Sequence, residues 1–194
     1  MSAQLYALKY GNHCNRLIVA NGFYSGKMWQ ENDDNSNRNY AENAPEMWER
    51  IMQLRAKGIK SSDKRHYELY FNLPNGLLYS YNPENAHYFP DDPAYPNEFN
   101  VKVYYQIVGP DGDFVVGNDM AKFDVTAELK KLKMPVLVIA GRYDRVSVPK
   151  MNLLYKKYCP LAKFVMFEKS GHSPQVEEPE KMMKTIREFM VTGD

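Results

Sequence analysis

Cysteine is scarce in this 194-residue chain: Cys14 and Cys159 are the whole complement. Two widely separated cysteines exclude a disulfide framework and any paired-cysteine metal or redox motif, and reduced thiols are expected, with a single bridge left open. No apolar run approaches the roughly eighteen residues of a membrane span. No sign of charge dominates, since 25 Lys and Arg stand against 24 Asp and Glu for a net charge of +1. That balance gives no general case for nucleic-acid or membrane partners. Residues 1–10 lack a charged leader followed by an apolar stretch, so no secretory signal is expected there and a cytoplasmic location is. There is no fixed-period repeat and no low-complexity tract. His13, His66 and His87 lack metal-ligand spacing and are expected at the surface or in a covering segment; neither metal nor cofactor is expected. Asp33-Asp34 lacks the spaced oxygens of a calcium loop.

What is present is the composition of a soluble globular domain, 44% hydrophobic and 25% charged. Its unusual feature is 15 tyrosines, most of them before residue 110, which suggests a half-polar aromatic surface such as a binding lid. Residues 2–11 have helical spacing and stop at Gly11. Leu17–Ala20 is a short apolar run that fits a buried strand. Residues 31–37, rich in Asn and Asp, are expected to be a polar loop. A helix is predicted over 45–57, with Met47, Ile51 and Leu54 on one face and Gly58 as its cap. Residues 60–122 are aromatic and irregular, with helices expected near 62–72 and 97–107.

After Pro135 the texture changes. Residues 136–140 form a β-branched, apolar run of the kind found in central parallel strands. A helix is predicted over 150–158, a strand over 163–167 and an amphipathic helix over 179–190. Alternating strands and helices imply a parallel sheet with crossover helices. The domain reading is an α/β core at 1–22 and 123–194, interrupted by a helical lid at 23–122.

Asp144 and His172 each follow the C-terminal end of a predicted parallel strand, where open α/β sheets place their ligands. If those strands are neighbours, the acid can hold one imidazole nitrogen and leave the other free as a general base. Either residue alone is a weak signal, because a strand-end Asp commonly caps a turn and a lone histidine is commonly structural. Trp29, Trp48 and the tyrosines could line an apolar pocket, although packing of the lid is the simpler role for Trp48. The lysines at 130, 131, 133, 156 and 157 read as solvated helix faces.

The segments Pro135 to Asp144, Phe164 to His172 and Glu177-Glu178-Pro179-Glu180 resemble the C-terminal block of α/β-hydrolases, and the 28 residues separating Asp144 from His172 fit that block. Within that superfamily, Gly109 to Phe114, Phe123-Asp124-Val125, and Leu17 to Gly22 with Trp29-Gln30 are most similar to proline iminopeptidases. The resemblance implies that Asp144 and His172 are acid and base of a Ser-His-Asp triad. It also implies a serine in Gly-x-Ser-x-Gly on a strand-to-helix elbow. No such pentapeptide occurs here. Residues 2–11 are similar to the body of the helix after the elbow, which places the elbow just before Met1. The second oxyanion donor belongs to the same missing part, so the chain alone is expected to be inactive toward amides.

The resemblance further implies that a lid acid and a glutamate directly after the catalytic Asp bind the substrate's free amine. Asp113 stands at the lid position, with a solvated turn acid as its other reading, and Trp29 is a candidate pocket wall. The position after Asp144 holds Arg145, whose charge would offset the acid. Without a partner, strand 17–20 would be an exposed edge in a sheet of about three strands, inviting self-association or an N-terminal fragment. Three readings follow. The chain is part of a hydrolase acting on a small peptide, amide or ester; or a non-catalytic binding module retaining lid and pocket; or part of another hydrolase, such as an esterase or epoxide hydrolase.

Overall fold

A computed structural model describes residues 1–74, 76–82, 84 and 99–192. His87 lies outside them, as does the start of the helix expected from residue 97. Strands β1 (Leu17–Ala20), β2 (Val136–Gly141) and β3 (Ala162–Phe167) form a parallel sheet in the order β1-β2-β3. Leu17 pairs with Val136, and Val136 with Ala162. Every residue of β2 is buried, which explains its unbroken apolar sequence: a central strand covered on both faces has no solvent side for polar residues.

The pleat divides the strand residues between two apolar layers. Val136 and Val138 join Leu17, Val19 and Ala162 on one face, against Ala7 of α1 (Ser2–Lys9) and Tyr155 and Cys159 at the end of the β2–β3 crossover. Leu137, Ile139 and Phe167 face the other way, against Met182 and Phe189 of α11 (Pro179–Thr192). The crossover helix predicted over 150–158 is broken at Leu154 into α8 (Pro149–Leu153) and α9 (Tyr155–Tyr158). A short helix, α10 (Pro174–Glu177), precedes α11. Among the described residues β1 is paired on one side only.

Between β1 and β2 the chain forms a helical insertion whose entry and exit lie side by side. Val125 N–H donates to Tyr24 O at 2.9 Å and Gly26 N–H to Phe123 O at 2.6 Å. The insertion contains α2 (Gly26–Asn43), α3 (Pro45–Ala56), α4 (Lys64–Tyr70), α5 (Gly76–Tyr79), α6 (Val101–Val108) and α7 (Asn118–Lys122). It has its own small core around Tyr40, Ile51, Tyr70, Leu73 and Leu78. Helix α3 ends as its sequence implies. Gly58 adopts φ +77°, its N–H donates to Arg55 O at 2.8 Å, and Ile59 N–H donates to Leu54 O at 3.2 Å. This is the paired closure that a left-handed glycine permits.

The polar loop expected at 31–37 is instead the middle of α2. Its inward stripe at four-residue spacing is Met28, Asn32, Ser36 and Tyr40, all buried. The middle of that stripe is held by hydrogen bonds rather than apolar contact. Asn32 Oδ1 accepts from Val148 N–H at 3.1 Å, and Ser36 Oγ donates to Arg145 O at 3.4 Å. Beside the stripe, Asn37 Nδ2 donates to Asp113 O at 2.8 Å. A helix whose buried face is polar has no apolar periodicity to read. Its start is conventional, with Ser25 Oγ accepting from Met28 N–H at 3.1 Å.

Candidate active site

The adjacency of β2 and β3 brings together the loops that follow them. Gly141, the last residue of β2, makes this possible: a Cβ there would lie 1.9 Å from the backbone oxygen of Gly171. Only a glycine allows the two strand ends to approach so closely. Tyr143 N–H donates to Ser170 O at 3.0 Å and ties the two loops directly.

Asp144 and His172 consequently meet, with Asp144 Oδ2 and His172 Nδ1 2.8 Å apart. The other carboxylate oxygen, Oδ1, accepts from Val146 N–H at 2.9 Å and Ser147 N–H at 2.7 Å. The side chain of Asp144 is wholly buried, whereas that of His172 is 32% exposed. An ionised acid fixed in this way orients the imidazole and favours the tautomer with its proton on Nδ1. Among the described residues no hydrogen bond engages His172 Nε2, and no serine approaches it as a partner. Ser147 Oγ donates to Gly22 O at 3.2 Å, Ser170 Oγ donates to Glu178 Oε2 at 2.7 Å, and Ser25 caps α2.

Several residues that sequence reasoning did not single out hold the histidine. Asn21, in a left-handed conformation at φ +45°, donates through Nδ2 to His172 O at 2.5 Å and accepts from Gly141 N–H at 3.3 Å. It therefore joins the ends of β1 and β2 to the histidine loop; an Asn-Gly pair after a strand is its one sequence signal, and an ambiguous one. Glu177 Oε2 accepts from Gly171 N–H at 2.6 Å, while its Oε1 accepts from Tyr81 N–H at 2.8 Å. Tyr79 O accepts from His172 N–H at 2.7 Å, and the two rings meet edge-on at 5.4 Å.

The histidine opens onto a cavity of about 640 Å³ between the helical insertion and the C-terminal end of the sheet. That is the size range of small-molecule sites. Trp29 and Asp113 both line it, with Asp33, Tyr70, Tyr104 and others. Trp48 does not line it but stacks on Phe114 at 5.6 Å, a packing role. Asp113 is 1% exposed and is no solvated turn acid. Its two oxygens accept from Tyr104 Oη at 2.8 Å and Tyr105 Oη at 2.7 Å. Burial raises its carboxyl above the usual range, and the two phenols work against that rise.

Two expectations about charge need correction. Arg145 does not enter the cavity or pair with Asp113. Its guanidinium donates to Leu77 O at 2.9 Å, and its own carbonyl accepts from Asn35 Nδ2 at 2.7 Å. Asp33, read from sequence as part of a polar loop, lies on α2 and faces the cavity instead. His66 is completely buried, between Tyr70 and Phe114. Among the described residues no group of three or more His, Cys, Asp or Glu is arranged to hold a metal ion.

A strand-end acid hydrogen-bonded to a strand-end histidine, at the rim of a cavity roofed by an insertion, matches the organisation of one large hydrolase family. The alpha/beta hydrolase fold profile matches residues 1–179, and the chain belongs to that family. Within it the chain is similar to proline iminopeptidases. It is 37% identical to the Heyndrickxia coagulans proline iminopeptidase over 91 residues, which is 47% of this chain and 31% of that protein. It is 27% identical to that of Saccharolobus solfataricus over 186 residues, covering 95% of this chain and 57% of the relative. The crystal structure of the Mycobacterium smegmatis proline iminopeptidase superposes with a TM-score of 0.69 at 21% identity, covering 96% of this chain and 60% of that one. The chain thus spans less than two thirds of the length of these relatives. No described helix is long and apolar enough to cross a membrane.

Proposed function

We propose that this chain supplies the acid, the base and the substrate pocket of a serine hydrolase that releases an N-terminal residue, such as proline, from small peptides or amides. The observation that carries the reading is the 2.8 Å Asp144–His172 contact at the rim of a cavity of about 640 Å³. With Nδ1–H held by Asp144, the Nε2 lone pair is available to take a proton from a hydroxyl nucleophile and later return it to the leaving amine. In this reading the nucleophile and the oxyanion donors come from a Gly-x-Ser-x-Gly elbow on a segment outside this chain, and that segment covers the free edge of β1. The helical insertion acts as a lid, Trp29 walls the substrate ring, and Asp113 contributes negative charge toward the substrate's amine. A cytoplasmic location fits a small-peptide substrate.

The test is hydrolysis of prolyl-anilide by the product of the complete reading frame from the source genome, beside the 194-residue chain. The complete product is expected to be active, and His172→Ala to lower kcat by at least about a thousandfold. The chain alone is expected to be inactive and to self-associate at low micromolar concentration in sedimentation. A non-catalytic binding module is the second reading, favoured by the lack of any described hydroxyl on His172 Nε2. It would prevail if the native product is this chain and stays stable, monomeric and inactive. Turnover of simple esters or epoxides without any peptidase activity would move the reading to another hydrolase chemistry.

A further inference from the structure

We infer that Arg145 and Glu177 are positioning residues, which fasten residues 77–82 of the insertion across the two loops that carry Asp144 and His172. The acid and the base are thereby held at bonding distance by the insertion as well as by the strand ends. Arg145 follows Asp144 directly, and every hydrogen bond it makes among the described residues goes to the insertion. Its guanidinium donates to Leu77 O at 2.9 Å and its N–H to Leu78 O at 3.1 Å. Its carbonyl accepts from Asn35 Nδ2 at 2.7 Å and from Ser36 Oγ at 3.4 Å. Glu177 works from the other loop. Its Oε1 accepts from the N–H groups of Tyr81 at 2.8 Å and Asn82 at 3.1 Å, while Oε2 accepts from Gly171 N–H at 2.6 Å.

Between these two fastenings lies Tyr79, whose carbonyl accepts from His172 N–H at 2.7 Å. The approach is tight, since a Cβ on Gly171 would lie 2.3 Å from that same oxygen. The ring of Tyr81 adds a contact with Tyr143 on the acid loop, with centroids 4.6 Å apart. Residues 77–82 therefore touch both loops, and they do so mainly through backbone groups. Hydrogen bonds fix direction as well as distance, and those made by a charged group are the stronger kind. Loosening either end should shift Tyr79 O and with it the His172 backbone. A carboxylate at position 145 has no proton to donate to Leu77 O and would be repelled by it. The guanidinium after Asp144 thus has a structural partner of its own, in the insertion and away from the ligand.

That this fastening serves catalysis rests on the proposed function, but the fastening itself is read without it. The first measurement is amide hydrogen exchange by NMR on the 194-residue chain. Arg145→Ala is expected to speed exchange at least about tenfold at His172, Tyr81 and Asn82, although the Arg145 side chain bonds none of them. Glu177→Ala should do the same at Arg145, while the amides of β2 stay protected in both variants. Effects confined to each residue's own partners would overturn the proposal. So would equal acceleration throughout β2, which would make both residues general structural contacts. The second measurement is prolyl-anilide turnover by the complete product. Arg145→Ala should lower kcat roughly ten- to a hundredfold with KM little changed. Arg145→Lys, which can still donate to Leu77 O, should restore most of the loss. An unchanged kcat, or an equal loss in Arg145→Lys, would overturn the positioning role. Coupled exchange across the two loops with no peptidase activity in the complete product would sink the proposed function alone; peptidase activity indifferent to both residues would sink this inference alone.

Discussion

The sheet and the helical insertion are built on opposite principles. Residues of β2 are buried among aliphatic and aromatic side chains from both layers, with Leu137, Val138 and Ile139 all at 0% exposure. The buried stripe of α2 instead carries Asn32 and Ser36 between Met28 and Tyr40, and its neighbours reach loops by hydrogen bonds. Apolar burial is non-directional, and it admits a polar group only where that group is hydrogen-bonded. A hydrogen-bonded face is directional, so it can hold a polar cavity open with its acids in set places. The sheet therefore gives the molecule an apolar core and carries Asp144 and His172 at its end, while the insertion supplies most of the side chains that line the cavity.

Substitutions can sharpen or break this contrast. The largest effect on stability is expected in the sheet: Leu137→Ala removes a fully buried side chain from β2 and should cost about 2–5 kcal/mol in denaturant titration. Gly141→Ala should follow, at about 1–3 kcal/mol from overpacking. Because it pushes the histidine loop off the strand end, it should also suppress activity in the complete product more than it lowers Tm. If the insertion is held by hydrogen bonds as described, Asn32→Ala should cost about 1–3 kcal/mol by leaving the Val148 N–H unpaired. Asn32→Leu, which adds apolar bulk, should be no better. A Leu variant as stable as wild type would erase the distinction between the regions. Ser25→Ala, which removes the cap of α2, should cost about 1 kcal/mol.

A pH titration separates the two regions differently. His66, within the core of the insertion, has its pKa lowered to about 4, chiefly by burial and then by the charge of Arg55. Above pH 6.5 the ring is neutral in both folded and unfolded chains and contributes no pH dependence. Between about 6.5 and 4 the unfolded chain takes up a proton that the folded chain refuses, so stability falls as pH drops, by up to about 1.4 kcal/mol per unit. His66→Phe should remove that slope in urea titrations while leaving the neutral-pH stability nearly unchanged. A slope that persists would assign the acid sensitivity elsewhere.

Legibility followed the same divide. The strands at 17–20, 136–140 and 163–167 could be read because buried parallel strands advertise themselves as short apolar runs. Asp144 and His172 could be read from their positions after those runs. Helix α2 could not, since Asn32, Ser36 and Asn37 spend their side chains on Val148, Arg145 and Asp113, partners more than seventy residues away in sequence. Arg145 was misjudged for the related reason that adjacency to Asp144 says nothing of where a guanidinium points. It points to the carbonyl of Leu77.

By itself the sequence determined the α/β class, the three strand runs and their succession along the chain, the positions of Asp144 and His172 after two of those runs, and the lack of an elbow serine within these residues; that the two runs are neighbours came from the tertiary structure. Local hydrophobic patterning and motif spacing are properties of the chain and need no third dimension to be seen. Only the tertiary structure decided that Asp33 faces the cavity, that Arg145 leaves it, that two tyrosines hold Asp113, and that Asn21 and Glu177 fix the histidine loop. Each depends on which distant donor a polar side chain meets, and polar groups are placed by directional contacts that no local pattern records.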